Sequence, residues 1–314
     1  LSSVRRSAQV TFRGQVMKLW RVPQSCLVLV LIACSRPDPQ LNDPLYQDDG
    51  EGFSSVRPGI EVLLEDSLHL VSARRVGLLT NQTGVDASGR SSIDRLHEHP
   101  SVELVALFAP EHGIRGTADP GEVVADDVDV ETGLPIHSLY GAVRSPTREM
   151  LDGIDVLLVD YQDIGARYWT YVSTMTLAME AAAELGVVVI VLDRPNPIGG
   201  AVQGNLLDPA FATFVGRYPV VMRHGMTLGE LARYYQGEVG IGGELHVAQV
   251  DGWRRDMAFA ETGLPWIQPS PNMPDVESAT HYPGTCLFEG TVLSVARGRC
   301  LGAIHRPGPG RCCP

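Results

Sequence analysis

The sequence predicts an α/β fold: a doubly wound parallel sheet followed by a second, smaller α+β region that is incomplete. Three observations carry this. Four short apolar runs, Val76–Leu79, Val102–Phe108, Val156–Val159 and Val187–Leu192, read as strands buried on both faces, which is the habit of parallel sheets. Helical patterns lie between them, and strand–helix alternation implies right-handed crossovers. Each run is followed by polar residues mixed with Gly or Pro: "TNQTG", "APEHGIRG", "DYQDIGARYWTY" and "DRPNPIGG". In such sheets ligands bind beyond the carboxyl ends of the strands, so these four loops describe a lined cleft.

The elements follow in chain order. Residues 1–16 lack an initiator Met and read as upstream, non-native sequence. Residues 17–34 place Lys18 and Arg21 ahead of the apolar run Cys26–Ala33, the charged and hydrophobic parts of a secretory signal peptide. That run is too short to cross a bilayer as a stable helix. It ends in Leu31-Ile32-Ala33-Cys34, which resembles the lipobox of bacterial lipoproteins. By that resemblance Cys34 is lipidated and becomes the mature N-terminus, anchoring an extracytoplasmic protein to a membrane; Ser35 after it favours the periplasmic face of an outer membrane. Residues 35–56 are polar and Pro-rich and read as a flexible tether. Within the body, helices are expected near Ser91, from Ser145 with Pro146 suited to the first helical position, and over "TYVSTMTLAMEAAAELG", which stops at Gly186. After Gly200 the pattern changes. Thr227 and Glu230 have capping-box spacing and open a helix, "ELHVAQVDGW" alternates like a strand, and "PWIQPSPNMP" is a Pro-stiffened loop. This second region is expected to close over the carboxyl face of the sheet. Residues 299–314 pile up Gly, Pro, Cys and Arg without period and read as an out-of-frame tail.

Composition narrows the function. The formal net charge of −12, without a Lys/Arg stripe, argues against a nucleic-acid partner. Of six cysteines, Cys26 and Cys34 lie in the N-terminal apolar stretch, Cys300, Cys312 and Cys313 crowd the end, and Cys286 alone lies in the body. This is neither a disulfide framework nor a CxxC zinc site. No GxGxxG, GxxxxGK[ST], GxSxG or HExxH pattern occurs, so dinucleotide, P-loop, α/β-hydrolase and zincin chemistries have no support, and no metal is expected.

Carboxylates are the more promising groups. Glu111, Asp160, Asp163 and Asp193 all follow strands, and paired carboxylates are what glycoside hydrolysis requires. A general acid wants a carboxyl partly withdrawn from water, which the Pro-Glu-His-Gly turn at residues 110–113 would supply. Asp160 and Asp193 serve equally well as helix caps or loop braces. Arg115, Arg167 and Arg194 share these loops; a guanidinium fork matches a ligand carboxylate, or else pairs with the same aspartates. Tyr168, Trp169 and Tyr171 are either sugar-stacking surfaces or core. In the second region Arg223, His224, Asn272 and Glu289 are candidates for the cleft, each with a structural role as the alternative.

Taken together, "LLTNQTG", "LFAPEHGIRG", "DVLLVDYQDIGARYWTY", "LDRPNPIGG", "RHGMTLGELA", "PSPNMP" and "YPGTCLFEGT" resemble, in order and spacing, the YbbC/NamZ family. The resemblance runs from about residue 57 to Gly298. It implies a Rossmann-like catalytic domain over 57–205, the start of an α+β C-terminal domain over 206–298, and an active site between them. It also implies exo-β-N-acetylmuramidase activity in peptidoglycan recycling, acting on muropeptides or disaccharides, with no cofactor. Glu111 matches the glutamate of the family's PEHG motif and is taken as the catalytic acid; Asp160 and Asp163 are candidates for the second catalytic group. Asn81, His112, Arg115, Gln162, Arg167, Tyr168, Asp193, Asn196, Arg223, His224, Asn272 and Glu289 are expected to bind substrate. Members of the family continue past "SVARG" where this chain departs, so a truncation or frameshift after Gly298 is expected. A sugar-binding lipoprotein without catalysis is the competing reading.

Overall fold

The computed structural model describes residues 56–111, 113–114 and 127–291. The expected signal peptide with Cys34, the tether and the tail therefore lie outside the described residues, as do His112 and Arg115. The elements run α1 (Gly59–Asp66), β1 (Arg75–Thr80), α2 (Ser92–His97), β2 (Glu103–Ala109), β3 (Asp127–Val128), β4 (Pro135–Ser138), β5 (Val156–Asp160), α3 (Thr170–Leu185), β6 (Val188–Leu192), β7 (Gln203–Leu206), β8 (Val221–Arg223), α4 (Leu228–Tyr234), β9 (Leu245–Ala248) and α5 (Val276–Thr285). Seven strands form one sheet in the order β3-β4-β2-β1-β5-β6-β9, parallel except for β3 against β4. The β7–β8 pair is a separate antiparallel ribbon.

Period-two alternation divides the sheet's side chains between two cores. Leu157, Val159, Val189 and Val191 face α3 and α4, whereas Val156, Leu158, Ile190 and Leu192 face α1 and α2. The register shifts between Val76 and Gly77, where Val76 pairs with Leu104 but Gly77 with Ala106. The extra residue in β2 turns Ala106 and Phe108 to one core and Leu107 to the other. Helix α3 ends on Gly186 at φ 71°, the left-handed cap expected there. Gly59 opens α1 so close to the β6 loop that a Cβ would lie 2.2 Å from the backbone nitrogen of Asp193. Its own N–H donates to the Asp193 carbonyl at 2.7 Å.

The four predicted strands are present and parallel. Two expectations need correction. No helix follows Ser145: the segment to Asp155 makes single turns, such as Leu151 N–H to the Thr147 carbonyl at 3.2 Å, and breaks at Gly153, φ 71°. Gly153 in the left-handed region and the buried Leu151 and Ile154 turn the segment back onto the core before a helix can propagate. The strand in "ELHVAQVDGW" does not belong to a separate sheet; β9 hydrogen-bonds β6 in parallel and extends the main one.

The topology matters for function. From β1 the chain moves through α2 to β2 on one side, then returns through β4 to β5 on the other side of β1. The loops after β1 and β5 thus diverge over a crevice at the carboxyl edge, with the β2 and β4 loops beside it.

Candidate active site

Ala109 pairs with Ser138, so the chain leaves β2 and β4 side by side at the same edge. Two residues beyond Ala109 stands Glu111; two beyond Ser138 stands Tyr140. Leu139 N–H donates to the Ala109 carbonyl at 2.8 Å, and the Ser138 hydroxyl bridges to the Tyr140 backbone, which fixes this exit. Glu111 is half-buried. Its Oε2 accepts the Thr170 hydroxyl at 2.7 Å, at the first turn of the sixteen-residue helix α3, where the helix dipole favours a carboxylate. Burial raises the Tyr140 hydroxyl above its usual range, with the Glu111 charge and its hydrogen bonding adding to that, while Arg144 opposes it. Tyr171 is also raised, first by its complete burial and then by Glu111. Glu111 therefore sits within reach of three hydroxyl-bearing side chains, at a water-facing edge.

The crevice beside it is lined by the β1 loop and by the Pro-stiffened loop of the second region. Asn81 Oδ1 accepts the Thr83 N–H and hydroxyl at 3.0 and 2.6 Å, a tight Asx turn. Its Nδ2 is buried against the Tyr171 hydroxyl, where its donation partly offsets the effect of burial on that group. Tyr171 donates to the Pro269 carbonyl at 2.5 Å and Gln82 to the Gln268 carbonyl at 2.8 Å, so "PSPNMP" is brought to this edge as expected. Asn272 is half-buried on that loop; Glu289 is exposed beyond α5.

The other expected carboxylates are occupied. Asp160 is fully buried, accepts from Arg194 Nε at 2.6 Å and Nη2 at 3.1 Å, and also accepts the Ser92 hydroxyl. The remaining Arg194 contact, to the Val85 carbonyl at 2.6 Å, ties the cation to the β1 loop. No lone pair of Asp160 faces solvent, so this group braces the crevice floor instead of reacting. Asp193 accepts the Thr227 hydroxyl and the Gly229 N–H, both at 2.8 Å, and so caps α4 together with the Thr227–Glu230 capping box. Burial raises its carboxyl to about 6 despite those bonds. Gly229 is required here: a Cβ would stand 2.8 Å from the Asp193 carboxyl carbon.

Asp163 is buried with one oxygen accepting the Gly165 N–H at 2.7 Å and the other unpartnered among the described residues. His224 Nδ1 accepts the Met226 N–H at 3.2 Å, and its Nε2 lies 3.4 Å from Asp163 Oδ2. That contact lacks hydrogen-bond geometry. The remaining expected substrate binders hold backbone. Gln162 spans the Asp163 and Pro195 carbonyls at 2.7 and 2.9 Å. Asn196 links Met226 and Ile198. Arg167 clamps the β7–β8 ribbon through the Asn205 and Val220 carbonyls at 2.8 and 2.6 Å. Arg223 donates to Gln203 and to the Ile198 carbonyl. Tyr168 donates to the Pro283 carbonyl at 3.2 Å and lies edge-on to Tyr282. A small recess lined by Thr83, Asp86, Gln162, Arg194, Pro265 and Trp266 opens between the β1 and β5 loops. Its charged walls are already paired, Asp86 with Arg95 and Arg194 with Asp160.

Tyr140 and Thr170 escaped the sequence reading. The alternation in "LPIHSLY" is a strand signal that would have found the first; a threonine at the start of a helix carries none. Among the described residues no three of His, Cys, Asp and Glu gather as metal ligands would.

Known proteins resemble this chain over most of its length. A family model described as exo-β-N-acetylmuramidase NamZ, N-terminal, matches residues 76–277. The peptidoglycan β-N-acetylmuramidase NamZ of Bacillus subtilis is 49% identical over 244 residues, 77% of this chain and 59% of that protein. A crystal structure of a DUF1343 family protein from Bacteroides fragilis superposes with a TM-score of 0.70 at 48% identity, covering 75% of this chain and 60% of the other. A second from the same organism gives 0.65 at 35%, covering 76% and 63%. The chain thus spans about three-fifths of the length of these relatives.

Proposed function

The chain belongs to the NamZ family of exo-β-N-acetylmuramidases, and from that premise we propose that it is an exo-acting glycoside hydrolase. Its substrates are peptidoglycan fragments, from whose non-reducing ends it releases N-acetylmuramic acid. The observation that carries this reading is the state of Glu111. It is the strand-end carboxylate that stays half-exposed, while Asp160 and Asp193 are saturated inside the fold.

Glu111 is the general acid. Its protonated carboxyl delivers a proton to the glycosidic oxygen as the bond to the sugar's anomeric carbon breaks. The Thr170 hydroxyl holds Oε2, so one rotamer is presented to the crevice. The oxocarbenium-like sugar then accepts water, whose proton passes to a second carboxylate. Asp163, one oxygen free of partners among the described residues, is the candidate for the second carboxylate. The extracytoplasmic, lipid-anchored location at Cys34 belongs to the same proposal and is supported by residues 17–34 alone. Mass spectrometry of the mature N-terminus tests it.

The deciding assay is release of N-acetylmuramic acid from the disaccharide N-acetylmuramyl-β-1,4-N-acetylglucosamine, with Glu111→Gln beside the parent chain. Release by the parent alone supports the reading. Equal release by both overturns the role of Glu111, and a folded parent that releases nothing overturns the activity.

A further inference from the structure

We propose that Arg144, positioned by Phe214, recognises the carboxylate of the sugar acid in this crevice and sets specificity for muramic acid over glucosamine. The inference rests on the hydrolase reading above and names its specificity residue. A muramyl unit differs from a glucosaminyl unit by a lactyl ether that ends in a carboxylate, so a site that prefers it needs a cation beside the catalytic acid. Most arginines around the crevice are engaged elsewhere. Arg194 is paired with Asp160, Arg167 and Arg223 hold backbone carbonyls, and Arg217 donates to Thr176 and Glu180.

Arg144 differs. It is exposed, makes no ion pair among the described residues, and lies with its guanidinium carbon 4.4 Å from the Phe214 ring centroid. A guanidinium stacked on an aromatic face keeps its edge N–H groups free for a bidentate carboxylate. Phe214 in turn packs against Tyr140, ring centroids 6.4 Å apart. Tyr140 leaves β4 beside the Glu111 exit from β2, so the row Arg144, Phe214, Tyr140 leads back to the catalytic acid. The wall is braced. Thr213 and Gly216 exchange backbone hydrogen bonds at 2.9 and 3.0 Å to form the turn that carries Phe214, and Arg167 clamps the base of the ribbon behind it.

Calorimetric binding of N-acetylmuramic acid, its lactyl carboxamide and N-acetylglucosamine tests this on the full chain. The parent is expected to bind the acid on the order of 10- to 100-fold tighter than the carboxamide, the size of a charge-assisted hydrogen-bond pair. Arg144→Gln should erase that gap, Arg144→Lys should keep part of it, and neither should change the melting temperature, since the side chain is exposed. In turnover, Arg144→Gln should raise KM for muramyl substrates with kcat little changed. A gap undiminished in Arg144→Gln, or the absence of any gap in the parent, overturns the proposal. Failure of the hydrolase reading looks different: no turnover by the parent, with the acid-over-amide gap and its loss in Arg144→Gln still measurable.

Discussion

The two halves of the sheet's carboxyl edge treat their carboxylates in opposite ways. At the β5–β6 half, Asp160 and Asp193 are fully withdrawn from water and every oxygen is met by a guanidinium, hydroxyl or amide. At the β2–β4 half, Glu111 is half-exposed and held by the hydroxyls of Thr170, at 2.7 Å, and Tyr140. The cause is position. Asp160 and Asp193 end β5 and β6 beneath the loops that carry Arg194, Thr227 and Gly229, so their charge is compensated within the fold. Glu111 lies two residues past the end of β2, where the chain has left the sheet and the side chain stays half-exposed. Acids that build a fold and an acid that stays accessible can therefore follow the same kind of strand.

The comparison breaks first at Glu111. Glu111→Gln should lower turnover by about 10³-fold, the span of general acid catalysis, with the thermal transition unchanged. A large drop in melting temperature would place Glu111 with the structural acids. Asp160→Ala should do the reverse, costing about 3–5 kcal/mol by leaving Arg194 buried without its counter-ion. Urea titration measures it, and a loss under about 1 kcal/mol would mean the pair is not the brace described.

Asp193 sharpens the contrast through pH. Burial raises its carboxyl to about 6, so between about pH 4 and 6 the folded chain binds a proton that the unfolded chain has released. The stability this contributes is present at low pH and is lost as pH rises through about 6. Asp193→Asn keeps an acceptor for the Gly229 N–H and cannot ionise. The stability of the parent relative to this variant should therefore fall by about 2–3 kcal/mol from pH 4 to pH 7. A flat difference across that range would show that the carboxylate is fully compensated by α4. The smallest expected effect is at Thr170→Val, which removes one hydroxyl from Glu111: about 5- to 20-fold in kcat, with stability within about 1 kcal/mol. An unchanged kcat would mean that the position of Glu111 does not depend on α3.

The strands were legible because a strand buried on both faces must be apolar at successive positions, and few other local structures demand that. The Thr227–Glu230 capping box was legible because its partners lie three residues apart. β9 was recognised as a strand but not as a member of the main sheet, since its partner β6 is fifty-odd residues earlier and either edge satisfies the same local pattern. The helix expected at Ser145 shows the converse: a suitable first turn that breaks at Gly153. In the site, Glu111 stood out through its Pro–Gly frame, whereas nothing local to Asp160 announces that Arg194, 34 residues later, neutralises it. Arg144, Phe214 and Tyr140 come from three segments with no common motif, and only packing aligns them.

The sequence by itself determined the α/β alternation, the polar edge where strands end, the Pro-Glu-His-Gly turn and the family to which they point, because these depend on neighbours within a few residues. The tertiary structure decided which carboxylates are compensated and which face water, because that depends on charges and donors brought together from distant parts of the chain.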